Sequence, residues 1–280
     1  MIEKCNAIIE DYQALGLRLT LRQLYYQLVS RNVIPNRERE YKNLGALLSN
    51  ARLAGKVDWG AIEDRVRHPR RHSEFRNLSD LVDAACDAYR LPRWDTQPAY
   101  AELWVEKDAL AGVLEPITDR FHAVLMVNRG YSSQTAMFDS ANRFRARASG
   151  RPATLFYVGD HDPSGEDMVR DIRDRFEMFG VDVGVVKLAL TMAQVRTYNP
   201  PPNPAKMTDP RANGYVREHG AESWEVDALP PDVLADIIVT AFEAVVDQDA
   251  MDDIIARETR DRRKLRTVVK RGAKRRRRDG

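Results

Sequence analysis

Residues 153–167 read ATLFYVGDHDPSGED, and this stretch decides the fold class. The run ATLFYVG is short and rich in apolar, aromatic and β-branched residues, the composition of a strand. Two carboxylates, Asp160 and Asp162, arrive where that strand must end, and a helical pattern begins near Ser164. AYAELWV (99–105), HAVLMVN (122–128) and DVGVVKLAL (182–190) have the same character. Helical segments beginning near Asp108, Ser132 and Ser164 alternate with these runs. Alternating strands and helices predict an α/β unit whose mainly parallel sheet is covered on its faces.

On the N-terminal side the pattern is helical. Residues 3–15 form one amphipathic helix, and Thr20 caps a second in which Leu21, Leu24, Tyr25 and Leu28 follow i, i+3, i+4, i+7 spacing. A third helix, from about Arg39 to Ala54, turns Tyr41, Leu44, Leu47, Leu48 and Ala51 inward. With the following VDWGAIEDRVRHPRR (57–71), these helices fit a helix-turn-helix module with a wing or basic extension. NLSDLVDAACDAYR (77–90) is a connecting helix, and LPRWDTQP (91–98) reads as a linker.

Beyond the last run, NPPPNPAKMTDPRANGY (199–215) carries too many prolines for regular structure and is expected to be a loop. SWEVDALPPDVLADIIVTAFEAVV (223–246) adds one strand and a long helix, and RRKLRTVVKRGAKRRRRDG (262–280) is a basic arm. The expected organisation is a DNA-binding domain over 1–76, a connecting helix and linker over 77–98, an α/β domain over 99–250 and a basic tail over 251–280.

The net charge of +2 conceals a polarity along the chain. Residues 1–76 hold fourteen Lys/Arg against nine acids, 77–256 hold seventeen against thirty, and 257–280 hold thirteen against three. A basic head and tail around an acidic middle suit two polyanion contacts flanking a region that concentrates cations. No apolar stretch approaches the roughly 18–20 residues that span a bilayer, and MIEKCNAIIEDYQALG lacks a signal-peptide core, so a cytoplasmic protein is expected. Cys5 and Cys86 have no CxxC spacing and read as reduced structural thiols.

Open α/β sheets place their sites at the carboxyl ends of the strands. Glu106 ends AELWVE, and Asp160 and Asp162 end LFYVGDHD. If strand geometry persists, the two aspartates point one way and His161 the other, leaving His161 a spectator. Three carboxylates at neighbouring strand ends repel one another unless a cation sits among them. Hard oxygen donors of this kind suit Mg²⁺, which takes one or two carboxylates plus waters and phosphate oxygens. Asp108, Glu166 and Asp167 fall in first helical turns, where acids are favoured by the helix dipole alone.

The second constellation is LRQLYYQL (21–28). Tyr25 falls on the apolar stripe, whereas Tyr26 is rotated about 100° from it and is expected to be exposed, four residues after Arg22. A phenol with a pKa of about 10 is roughly 0.3% ionised at pH 7.5 and needs a base or positive charge to act as a nucleophile. A guanidinium about 4 Å away contributes up to about 4 kcal/mol at an effective dielectric of 20, enough to move that pKa by two units or so. On side-chain chemistry alone, an exposed Tyr beside an Arg is also ordinary surface stacking.

A helical domain bearing RQLYY, followed by an α/β domain with a strand-end Glu and a DxD pair, resembles the topoisomerase VI A-subunit family, which includes the meiotic double-strand-break proteins. The resemblance runs from about Leu19 to WEVDALP (224–230). It implies a winged-helix (CAP-like) domain followed by a toprim (Rossmann-like) domain. It implies Tyr26 as the nucleophile that becomes 5′-linked to DNA, Arg22 as a phosphate-binding arginine and Glu106 as metal ligand or acid/base group. Asp160 and Asp162 take the place of the metal-binding DxD pair, with Gly165 in the turn behind it. Mg²⁺ or Mn²⁺, double-stranded DNA and a homodimer sharing its active sites between protomers are implied as partners. The chain is shorter than usual for the family, has no ATPase domain and resembles the compact stand-alone "mini-A" forms, so ATP-driven strand passage would call for a separate ATPase partner. One departure is Lys107, which follows Glu106 where the family commonly has Gly.

Two alternatives stand beside tyrosine transesterification: a toprim nuclease with water as nucleophile, and a noncatalytic DNA-binding or regulatory protein. A primase also uses a toprim domain, but it leaves the tyrosine-bearing module without a role.

Overall fold

A computed structural model describes residues 1–62, 72–128, 130 and 132–276, with side chains through 267. The expected wing falls largely on 63–71, outside the described residues.

Three helices open the chain: α1 (Ile2–Ala14), α2 (Leu21–Ser30) and α3 (Glu38–Leu53). Thr20 caps α2 as expected, its hydroxyl accepting from the Gln23 amide while the Gln23 side chain accepts from the Thr20 amide at 2.8 Å. Leu24, Tyr25 and Leu28 pack with Ile8, Ile9, Leu19, Leu44, Leu48 and Ala51 in a core of their own. Ala228, from the far end of the sequence, completes that core. Both cysteines are free and buried.

After α4 (Leu78–Ala88) and a 3₁₀ turn at Arg93–Thr96 come β1 (Tyr100–Val105), α5 (Ala111–Phe121), β2 (Val124–Val127), α6 (Gln134–Ala148), β3 (Ala153–Val158), α7 (Pro163–Met178) and β4 (Gly184–Ala189). The four strands form one all-parallel sheet in the order β2-β1-β3-β4. Each apolar run in the sequence supplies one strand, as expected. Right-handed crossovers in this order send α5 to one face and α6 and α7 to the other. Accordingly, α6 packs on α7, and α5 packs on the later helix α10 (Pro231–Glu243). The chain moves from β1 out to β2 and then returns past β1 to β3. The β1/β3 boundary is therefore the switch point, where an open sheet parts its connections and leaves a crevice.

An ionised side chain lies in the middle of this sheet. Glu102 on β1 is fully buried and satisfied by Tyr100 Oη (2.8 Å), Trp104 Nε1 (3.0 Å) and a two-pronged bond from Arg143 of α6 (2.7 and 2.8 Å). A paired and fully hydrogen-bonded charge is the tolerable form of such burial.

The remainder is α8 (Met192–Tyr198), β5 (Asn203–Pro204), α9 (Ala212–His219), β6 (Glu222–Ser223), a 3₁₀ turn at Val226–Ala228, α10 and α11 (Gln248–Arg276). Three expectations change here. The proline-rich stretch is not wholly irregular, because α9 forms once Pro210 has been passed. The strand expected from SWEVDALP shrinks to β6, which pairs only with β5 in a separate antiparallel ribbon. The basic arm is helical through Arg276, and its first half docks on α4 and the linker turn through Arg93–Glu258 (2.7 Å) and Arg266–Asp87 (2.7 Å). Among the described residues no helix is long and apolar enough to cross a membrane.

Candidate functional site

The sheet brings Glu106 and Asp160 together at the switch point. The Glu106 amide donates to Val158 O at 2.9 Å, carrying the β1/β3 pairing one residue past β1. The Glu106 carboxylate lies across the end of β3, its Oε2 accepting from the Asp160 amide at 3.3 Å and from Tyr157 Oη at 3.4 Å. Gly159 permits this: a Cβ there would stand 2.9 Å from Glu106 Oε2 and 2.7 Å from the Tyr157 ring. At Gly165 a Cβ would meet the Asp160 carbonyl oxygen at 2.2 Å, so only glycine lets the first turn of α7 sit behind the aspartate.

The two aspartates do different work. Strand geometry stops at Val158, and His161 instead makes a two-bond antiparallel bridge to Trp224. Asp160 is buried and turns toward Lys107 Nζ (2.8 Å) and the Val226 amide (2.9 Å). Asp162 caps α7, accepting from the Gly165 amide at 2.7 Å and Ser164 Oγ at 2.9 Å. Burial is the largest influence on the Asp160 carboxyl; Lys107 opposes it, Glu106 adds to it, and the pKa is pushed up to about 7.

Lys107, the departure from the family pattern, is the hub of this site. Its ammonium reaches Asp160, Glu225 Oε2 (3.0 Å) and Asp227 (3.2 Å). Desolvation would lower its pKa, but Asp227, Asp160 and Glu225 together hold it above the ordinary lysine value. Asp227 is buried and its carboxylate oxygens make no hydrogen bond, so the Lys107 ammonium at 3.2 Å is the charge set against it. Sequence reading missed Glu225 and Asp227, although EVD beside an apolar helix was a usable signal.

Tyr26 lies in the neighbouring cavity of about 160 Å³, lined by Arg22, Tyr25, Asn36, Tyr41, Asn203 and Glu225 among others. The expectation of exposure is corrected: Tyr26 is 4% exposed, because α2 is covered on that side by the 3₁₀ turn at Val226–Ala228. The Asn203 side chain lines the same cavity. Burial, then the Glu225 carboxylate, raise the Tyr26 pKa well above the usual tyrosine value; Asn203, Arg22 and Lys107 pull it down without reversing that. Arg22 acts in the expected direction but is outweighed. Its guanidinium is bound to Glu225 Oε2 and lies over the Tyr41 ring. Tyr25 belongs to the core as expected, its hydroxyl accepting from the Arg37 amide at 2.8 Å.

Glu225 Oε2 therefore joins the two constellations, accepting from Arg22 on the tyrosine side and from Lys107 on the strand-end side. The carboxylate oxygens of Glu106 and Asp160 at the switch point are hard donors of the kind that fits a divalent ion held by one or two of them, in competition with the Lys107 ammonium. Glu106, Asp160 and Asp162 are not drawn into one tight triad. Among the described residues, the one group of three His/Cys/Asp/Glu ligand atoms lying within 4.8 Å of one another is His161, Glu166 and His219. His161 is thus not isolated as expected.

Compared with protein-family models and with curated proteins, the chain matches none.

Proposed function

We propose that the chain binds duplex DNA and cleaves it by transesterification, with Tyr26 as nucleophile and the strand-end carboxylates as the metal-holding group. The observation that carries this reading is the sharing of Glu225 Oε2 by Arg22 and Lys107, which makes the tyrosine cavity and the switch-point carboxylates one electrostatic unit. In this reading residues 1–76 act as a winged-helix domain and 99–250 as a toprim domain, the arrangement the family resemblance implies.

In the resting state Glu225 holds Arg22. A DNA phosphate entering the cavity competes with Glu225 for Arg22, whose planar fork matches phosphate oxygens. Released from Arg22, Glu225 no longer raises the tyrosine pKa from the same position, and the guanidinium charge favours the phenolate. Tyr26 Oη, its proton passing to the Glu225 carboxylate of the same cavity, then attacks phosphorus as the bond to the 3′ oxygen breaks, and the departing 3′ oxygen takes a proton from water, leaving a 5′-phosphotyrosyl link and a free 3′ hydroxyl. Lys107 is placed to neutralise the phosphate oxygens when it exchanges its carboxylate partners for DNA. Glu106 with Asp160 or Asp162 would hold a Mg²⁺ or Mn²⁺, and such an ion would supply positive charge for the reacting phosphate and the leaving oxygen.

Two protomers, one per strand, give the double-strand break; the Glu225 bridge joins the tyrosine and the carboxylates of one chain, so this reading departs from the active site shared between protomers that the resemblance implies, and ATP-driven strand passage belongs to a separate ATPase. The cytoplasm, at the nucleoid, is the place where such a protein meets its substrate. The basic helix α11 adds nonspecific phosphate contacts, so binding weakens steeply with salt.

The burial of Tyr26 favours a second reading, a metal-dependent nuclease in which water attacks and the tyrosine is structural. Both readings require the carboxylates. Incubation of supercoiled plasmid with Mg²⁺ or Mn²⁺ and the wild-type, Glu106→Gln or Asp160→Asn protein tests that shared requirement. Cleavage by wild type alone is expected; equal cleavage by all three removes the strand-end site from the chemistry. Absence of cleavage by wild type, with DNA binding retained, points to a noncatalytic DNA-binding protein.

A further inference from the structure

The group formed by His161, Glu166 and His219 shares none of the Lys107 ion pairs and has no part in the chemistry above. His161 is 2% exposed and fixed by its backbone bridge to Trp224. Its Nδ1 lies 2.8 Å from Tyr215 Oη, and that hydroxyl lies 2.9 Å from His161 O and 3.0 Å from Glu222 O. The single phenolic proton goes to one of the two carbonyls, which can only accept. The phenol oxygen therefore accepts from Nδ1–H, and the lone pair of the ring is left on Nε2. A hydrogen bond of this kind, fixing the tautomer of a histidine from behind, is the usual outer support of a metal-ligating imidazole.

Nε2 faces Glu166, with Oε1 at 3.5 Å. Two ligands on one tetrahedral ion with bonds of about 2.0–2.1 Å stand roughly 3.3 Å apart, close to this separation. His219 ends α9 four residues after Tyr215, and its ring stands 4.8 Å from that of His161, centroid to centroid. The ligand atoms of the three residues all lie within 4.8 Å of one another. Lys187 Nζ donates to Glu166 Oε1 at 2.6 Å and to Asp160 O at 2.7 Å, holding the glutamate in place while competing for that oxygen.

We propose that His161, Glu166 and His219 bind a transition-metal dication of the Zn²⁺ class, with a fourth position open to water. Two imidazoles and one carboxylate select such an ion over Mg²⁺. The bound ion ties the DxD segment and α7 to α9, and so braces Asp160 and Asp162 from behind. This inference does not depend on DNA cleavage.

Metal-stripped full chain is titrated with Co²⁺, followed by its visible d–d absorption, and with Zn²⁺ in competition. The wild type, His219→Ala, Glu166→Gln and Glu106→Gln proteins are compared, with circular dichroism as a check on folding. One equivalent per chain is expected for wild type and Glu106→Gln, undisturbed by millimolar Mg²⁺. Binding at least about tenfold weaker is expected for His219→Ala and Glu166→Gln. His219 sits at a partly exposed helix end, so its truncation leaves the fold intact. Failure of wild type to bind stoichiometrically overturns the proposal. So does unchanged binding by His219→Ala, or loss in Glu106→Gln alone, which moves the ion to the strand-end carboxylates.

Discussion

The ammonium of Lys107 lies 2.8 Å from Asp160 Oδ1, so the surplus negative charge at the β1/β3 switch point is balanced in part by the residue that follows Glu106 in sequence. Lys107→Met leaves Asp160, Asp227 and Glu225 facing one another without that cation. Unpairing buried carboxylates in this way is expected to cost about 3–5 kcal/mol. Urea unfolding in the presence of a chelator measures the loss, and millimolar Mg²⁺ should restore part of it. Unchanged stability in the chelator would show that the carboxylates are balanced by something other than Lys107.

Asp162 invites a separation of roles. As the α7 cap it is worth about 1 kcal/mol, which Asp162→Ala should lose and Asp162→Asn should largely keep, since Asn caps as well as Asp. As a carboxylate beside the metal-holding group it should be needed for cleavage, so both variants are expected to be inactive. Wild-type cleavage by Asp162→Asn would reduce Asp162 to a cap.

Much of this architecture is written locally in the sequence. The four apolar runs, the Thr20 cap and the helix start near Ser164 depend on neighbours within a few residues, and each forms close to where the sequence puts it. The packing of distant segments was not legible in this way. Helical periodicity set Tyr26 off the apolar stripe, yet it is buried with that core, because Asn203 and Glu225, which line its cavity, lie 177 and 199 positions away. The same holds for His161, whose companion His219 arrives on a helix hidden behind the prolines of 200–210. Glu102 was readable in hindsight: an acid inside AELWV demands a buried cation, and Arg143 supplies it. The arm after Gln248 was read from charge alone, although Lys and Arg are good helix formers.

Glu258 carries a pH prediction. Burial alone would raise its pKa, but Arg93, the Leu91 amide and Arg262 outweigh burial and hold it below the ordinary glutamate value. A carboxyl depressed on folding adds stability above its unfolded pKa of about 4.3, and that stability disappears as the pH falls through the lower folded value. Glu258→Gln, which leaves the nearly buried Arg93 unpaired, should therefore cost about 3 kcal/mol at pH 7. The gap to wild type should shrink as the pH drops below about 4.3. Denaturant midpoints against pH measure it, and a gap constant down to pH 3 contradicts the assignment.

Tyr26→Phe removes one hydroxyl from a buried site, at a cost of about 1 kcal/mol, and should leave the fold and DNA binding near wild type. That makes it the sharpest probe of the nucleophile. Supercoiled plasmid is incubated with Mg²⁺ or Mn²⁺ and wild type or Tyr26→Phe, quenched with denaturant, and divided between protease-treated and untreated samples. The account predicts DNA 5′ ends retained on protein until protease releases them, and no such complex with Tyr26→Phe. Free ends produced equally by both proteins would contradict it and assign the attack to water.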